Sequence, residues 1–176
     1  MNQLKTTIIP IRPSTHTRST QGDRWLFAVS DQYLAKYDLK KKALTGKIGG
    51  NARRKAQLVR YNTYKQEIRQ WQASNGFKMP LGYFSIWFYI PVPPSWRKKL
   101  AEAAIGQPHM NTPDLDNCLK AFFDGIMPRK NKTKTEKGSD DRRIHCYAAF
   151  KRWCRIGEEK IVIKEYDAAE YLECFR

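Results

Sequence analysis

Thr112-Pro113-Asp114-Leu115-Asp116-Asn117-Cys118-Leu119-Lys120 places two carboxylates, an amide and an ammonium within one short stretch. Those groups suit phosphodiester hydrolysis. That reaction needs a nucleophilic water, neutralised phosphoryl charge and a stabilised leaving oxygen, and a magnesium ion supplies all three. Magnesium prefers carboxylate and carbonyl oxygens, so two or three convergent acids are the least a protein must contribute. The surrounding chain is strongly basic, with 33 Lys and Arg against 17 Asp and Glu and a formal net charge of +16. A basic protein that concentrates acids at one place fits a binder of polyanions that also holds a cation.

The acids need a helix behind them. Leu115, Cys118, Leu119, Phe122, Phe123 and Ile126 recur at helical spacing and form an apolar stripe. With about 100° per residue, Asp116, Asn117, Lys120 and Asp124 share one sector of roughly 100° beside that stripe. If Asp114 were helical too, it would point about 200° away from Asp116. A shared site therefore requires Asp114 in extended chain before the helix, with Asp116 in the first turn or at the N-cap. Lys120, one turn on, could pair with the carboxylates, touch the scissile phosphate or stabilise transition-state charge. Asn117 could orient a carboxylate or cap the helix. Asp141, just ahead of a strand, is the best third ligand, and Asp140 is the fallback. The bland rival is a plain helix start, in which Thr112 caps, Pro113 takes the first position and the acids face the positive helix end.

Elsewhere, Thr6 to Ile11 reads as a strand and Gln21-Gly22-Asp23 as a turn, with Arg24 to Val29 returning as a second strand. Gly46 and Gly49-Gly50 mark a loop. A helix capped by Asn51 runs to about Ala73, with Tyr61, Tyr64, Ile68 and Trp71 on its apolar side. Tyr83 to Val92 is the clearest strand. Phe84, Ile86, Phe88 and Ile90 make its core face, while Tyr83, Ser85, Trp87 and Tyr89 make the other, which suits a partner or a covering helix. Ser95 caps a short helix to about Ala104. Ile144 to Trp153 and Lys160 to Tyr166 are strands. The expected fold is α+β, one compact domain over residues 1–176, a small mixed sheet packed with helices, with basic insertions near 38–55 and 128–139.

Residues 1–76 carry 15 Lys and Arg against 4 Asp and Glu, so most positives there lack a partner of opposite sign. Arg53, Arg54 and Lys55, together with Arg129, Lys130, Lys132 and Lys134 of the basic loop, are the candidate DNA contacts. With 41% hydrophobic and 12% aromatic residues, the chain is a folded protein and not a disordered tail. Cys118, Cys146, Cys154 and Cys174 form no CxxC pair, so a zinc site is not indicated. His16, His109 and His145 are scattered, which favours bland core or surface roles over catalysis. No apolar run reaches the ~20 residues of a spanning helix, and Met1 to Lys5 lacks the apolar core of a signal peptide; a cytoplasmic location is expected.

Pro113-Asp114-Leu115-Asp116-Asn117, then Leu119-Lys120-Ala121 and Asp124-Gly125, then Asp140-Asp141 before a strand, resembles the signature of RusA-type Holliday-junction resolvases. Gly106-Gln107-Pro108-His109 and the strand–Pro–Ser95-Trp96 passage also resemble the family. The likeness covers about residues 80–166 and is looser before residue 75. It implies a RusA-like fold and a small homodimeric, Mg2+-dependent endonuclease, with Mn2+ as a possible substitute and no small-molecule cofactor. It further implies paired cuts in branched, four-way DNA during recombination and repair, and a phage or prophage origin. The family's catalytic acids map onto Asp114, Asp116 and Asp141, which would hold the metal, and its lysine onto Lys120. Pro113 departs from members that are basic at that position, so the loop lysines would have to replace a lost phosphate contact.

Two other readings compete. Pro113-Asp114 with Glu158-Glu159-Lys160 formally spells a restriction-like PD…ExK nuclease, although Gly157 makes Glu158-Glu159 look like a hairpin turn. A non-catalytic DNA- or RNA-binding module would explain the charge equally well. It would leave carboxylates facing a polyanion with no cation between them.

Overall fold

Phe84, Ile86, Phe88 and Ile90 are all buried and form the centre of the sheet. They lie on β2 (Gly82–Pro91) of a computed structural model. The structure describes residues 5–15, 17, 23–45, 50–127, 144 and 146–167. The other elements, in chain order, are β1 (Thr6–Ile9), α1 (Arg24–Ala28), α2 (Asp31–Thr45), α3 (Asn51–Ser74), α4 (Lys98–Ala104), α5 (Leu115–Ile126), β3 (Cys146–Cys154) and β4 (Lys160–Glu165). The expected α+β class is met, with five helices and a four-stranded mixed sheet of order β1-β4-β2-β3 among the described residues. By its contacts the chain divides into two units, one of Met1–Thr15 with Lys65–Arg176 and one of His16–Tyr64.

In the first unit, β2 runs parallel to β3 and antiparallel to β4, which in turn pairs antiparallel with β1. Residues paired across strands share a face. Phe88 opposite Lys151 and Ile161 therefore belongs to one face, with Tyr147 and Trp153. Trp87 opposite Phe150 and Val162, and Tyr89 opposite Arg152 and Lys160, belong to the other. Tyr83, expected on that second face, instead sits in a register shift with φ of 54°, a bulge that takes it out of the alternation. The outer edge of β3 is covered by residues 106–109. Gly106 N–H donates to Trp153 O (2.9 Å), His109 N–H donates to Lys151 O (3.0 Å), and Trp153 N–H donates to Gln107 O (3.1 Å).

Two local expectations fail here. Gly157 (φ 91°) does make a turn, but β3 and β4 are not a hairpin, because β2 lies between them. The short helix starts at Lys98, not at Ser95. Trp96 N–H closes a turn onto Pro93 O at 3.0 Å, and Arg97 is the extended residue before the helix.

The second unit is helical. Arg24 to Val29, expected as a strand, forms α1, since a short apolar run does not by itself distinguish the two. Leu26 packs with Leu34 and Leu58, and Val29 lies against them. Helix α2 was not legible in the sequence because, of the residues whose burial is described, it buries only Leu34 and Asp38. The stretch 38–55 is thus the end of α2 and the start of α3, with 46–49 outside the described residues. Helix α3 begins at Asn51 as expected, but its cap is remote. The Asp38 carboxylate accepts the N–H groups of Asn51 (3.4 Å) and Ala52 (3.2 Å) and the Asn51 side-chain amide (3.0 Å).

Candidate active site

Asp114 is the N-cap of α5, with extended backbone (φ −68°, ψ 149°), and its carbonyl accepts the Cys118 N–H at 3.1 Å. Asp116 lies in the first helical turn. This is the arrangement a shared site requires. The two variants that made Asp116 the N-cap or Pro113 the first helical residue are excluded, because the helix opens at Leu115. Asp114, Asp116 and Lys120 are exposed and Asn117 is half-buried, while Cys118, Ala121, Phe122, Gly125 and Ile126 face inward.

Helix α5 is held at several points. The Phe122 ring meets Phe88 edge-on at 6.3 Å, and Phe123 meets Tyr147 at 5.8 Å, which seats α5 on the Phe88 face of the sheet. The C-terminal half of α3 crosses so closely that a Cβ on Gly125 would stand 3.1 Å from Ile68. Arg69 then donates to the carbonyls of Gly125 (3.3 Å) and Asp124 (3.2 Å), a cation on the orphan acceptors of the helix C-terminus. At the other end, Lys151 reaches up from β3, and its ammonium donates to Asn111 O (3.0 Å) and to Pro113 O. Spacing offered no clue to Lys151. Only the pairing of β3 with β2 puts it under the acid motif.

Neither the Asp114 nor the Asp116 carboxylate has a hydrogen bond or ion pair among the described residues, and Asp114 makes no side-chain cap bond. Lys120 likewise makes no ion pair with them there. Two unpartnered, exposed carboxylates beside a positive helix end are the oxygen donors a hard divalent cation takes, so the residues fit such a metal. No group of three His, Cys, Asp or Glu occurs among the described residues, and the third candidates, Asp140 and Asp141, lie outside them, as do Arg129, Lys130, Lys132 and Lys134. Burial pushes the Cys118 thiol up to about 11, against the Lys151 charge and with the help of Asp116 and Asp114. The three charges therefore act on the same end of α5. Of the remaining DNA candidates, Arg53 is exposed at the start of α3. Arg54 instead grips Asp23 with two bonds (3.2 and 3.0 Å), and Lys55 pairs with Asp31 (3.1 Å) and donates to Val29 O (2.8 Å).

A family model described as endodeoxyribonuclease RusA matches residues 40–164, most of the chain. The chain belongs to the RusA endodeoxyribonuclease family. No curated protein and no solved structure matches it. RusA membership makes it an enzyme, a structure-specific endodeoxyribonuclease of the Holliday-junction-resolving kind, whose relatives generally depend on a divalent metal. The match begins within α2, so α1 and the first part of α2 lie ahead of the RusA region. Within that region the PD…ExK arrangement has no support. Glu158 pairs with Arg155 (3.7 Å), Glu159 accepts the Gly157 N–H (3.0 Å), and the Lys160 ammonium rests 5.3 Å from the Tyr89 ring centre, on the sheet face away from α5. No helix among the described residues is long and apolar enough to cross a membrane.

His109 adds a pH-dependent element beside the RusA motif. It is buried against Trp153, with ring centres 3.8 Å apart, and its Nδ1 has no hydrogen-bond partner among the described residues. Burial first, and the Lys151 charge second, hold its pKa below the usual imidazole value. The unfolded chain, titrating near 6.5, then takes up the proton before the folded state does, and stability falls as pH drops through that value. His109→Phe keeps the ring stack and removes the proton. Its melting temperature should fall less between pH 7 and pH 5 than that of wild type.

Proposed function

We propose that this protein resolves four-way DNA junctions by metal-dependent phosphodiester hydrolysis at the N-terminus of α5. The observation that carries this reading is the pair of exposed carboxylates of Asp114 and Asp116, unpartnered among the described residues, in a RusA-family chain of net charge +16. Asp114 and Asp116 hold the metal, Mg2+ or in its place Mn2+, and Asp141 is the third ligand. Bound there, the cation supplies a nucleophilic water and charge neutralisation at the phosphate. Lys120, one turn along α5, contacts the scissile phosphate, and Asn117 orients a carboxylate. A four-way junction presents two equivalent strands, so a two-fold homodimer with two such sites suits paired cutting. The place of action is the cytoplasm.

The test is cleavage of a synthetic four-way junction against linear duplex, with and without Mg2+ or Mn2+. Symmetric, metal-dependent cutting of the junction alone is expected. Junction binding without cutting in either metal would make the protein a structure-specific binding module instead.

The cations divide by their partners. In the helical unit Arg54 and Lys55 are held by acids, whereas Arg53 is exposed. Arg53→Gln should reduce the slope of log K against log salt for junction binding by about 0.9, the share of one phosphate contact. Arg54→Gln should leave the slope unchanged and lower stability by about 1.5–3 kcal/mol, the range for hydrogen bonds to a charged group, because it removes the two bonds that Arg54 makes to buried Asp23. Equilibrium binding across a salt series and urea unfolding separate the two.

A further inference from the structure

Between the β3-edge segment and α5, residues 110–113 have little of their own to hold them. Met110 is 86% exposed, and Pro113 carries no N–H. No backbone N–H from residues 110–113 donates to another backbone group among the described residues. Among the described residues, Lys151 ties the segment to β3. Its Nζ donates to the carbonyl of Asn111 and to that of Pro113. The Pro113 carbonyl belongs to the peptide plane that joins Asp114, so the ammonium grips the backbone immediately ahead of the first acid. Lys151 is paired with Phe88 in the sheet, and Phe88 also contacts Phe122 of α5. The strand that supports the helix therefore also supports the loop entering it.

A lysine is a costly choice for a plain tether. Its half-buried ammonium forms no ion pair among the described residues and spends its donors on neutral carbonyls. The charge has a use if it acts at the acid motif, whose first carboxylate belongs to the residue directly after the Pro113 carbonyl it holds. We propose that Lys151 is a positioning residue for the acid site, setting the direction of the Asp114 carboxylate toward a divalent cation through the carbonyls of Asn111 and Pro113. This rests on Asp114 being a metal ligand, and it assigns Lys151 no contact with DNA or with the reacting atoms.

The test compares wild type, Lys151→Met, Lys151→Arg and Asp114→Asn in full-length protein. Mn2+ binding is measured by calorimetry, and junction cleavage is followed across a Mg2+ series. Supporting residues around a metal typically contribute 10–100-fold in affinity. Lys151→Met should weaken Mn2+ binding and raise the half-saturating Mg2+ concentration by about that factor, with the maximal rate largely recovered at saturating Mg2+. Lys151→Arg, which retains two donors and the charge, should fall within a few-fold of wild type. A merely structural lysine would instead lower the melting temperature and the rate at every Mg2+ concentration alike, and that result overturns the proposal. So does unchanged metal affinity in Lys151→Met while Asp114→Asn loses it. If Asp114→Asn itself binds Mn2+ like wild type, the metal reading fails, and this proposal with it. Should Lys151→Met not fold, Lys151→Gln carries the same test, since it keeps a donor without charge or reach, and an unchanged half-saturation there is equally fatal.

Discussion

Asp116→Asn should cut junction cleavage on the order of 10^3-fold, with metal-free junction binding equal to or tighter than wild type. A metal ligand that helps stabilise transition-state charge contributes several kcal/mol, and about 4 kcal/mol corresponds to that factor. The amide is isosteric with the carboxylate, and Asp116 is exposed with no partner among the described residues, so no packing is lost. Stability should fall by no more than about 1 kcal/mol, the value of an acid at a helix N-terminus. Affinity should not drop, because removing a negative charge facing DNA reduces repulsion. Single-turnover cleavage and filter binding in EDTA give the two numbers. A variant that cuts at the wild-type rate but unfolds more easily would make Asp116 a helix-terminus acid and nothing more.

Phe122→Ala should lower unfolding free energy by about 3–5 kcal/mol, the usual cost of emptying a fully buried aromatic site. Phe122 is 0% exposed, and its edge contact with Phe88 seats α5 on the sheet. That loss is a large share of the ~5–15 kcal/mol that keeps such a protein folded. The same helix presents Asp114, Asp116 and Lys120, so activity should decline at temperatures where the variant is still mostly folded. Phe123, half-buried on the Tyr147 side, should cost less when truncated. Urea unfolding of the two variants, with cleavage followed across temperature, checks both statements.

Strand β2 and helix α5 were legible because each carries a regular apolar period, whereas β3 and β4 were legible as short apolar and aromatic runs, with Ile161, Val162 and Ile163 of β4 buried in succession. Phe84, Ile86, Phe88 and Ile90 alternate and are buried, and of the helical stripe Cys118, Phe122 and Ile126 are buried while Leu115, Leu119 and Phe123 are half-buried. Helix α2 escaped because Leu34 and Asp38 are its only buried positions among the described residues, leaving no period to see. Helix α1 was misread because five residues are too few to separate a strand from a helix. The Asp114–Asp116 arrangement could be reasoned out beforehand, since two acids at i and i+2 share a side only when the first is extended.

The amino-acid sequence alone determined the helix behind the acids, the central strand, the excess of positive charge and the RusA resemblance. Each of these is a property of residues close in the chain or of composition. Only the tertiary structure decided which cations are already engaged. Arg54 and Lys55 are tied to Asp23 and Asp31, Asp38 caps a helix that begins 13 residues later, and Lys151 lies under the loop before Asp114. Those pairings depend on strand register and helix packing between distant segments, and a side chain's neighbours across such a distance are not encoded in any local period.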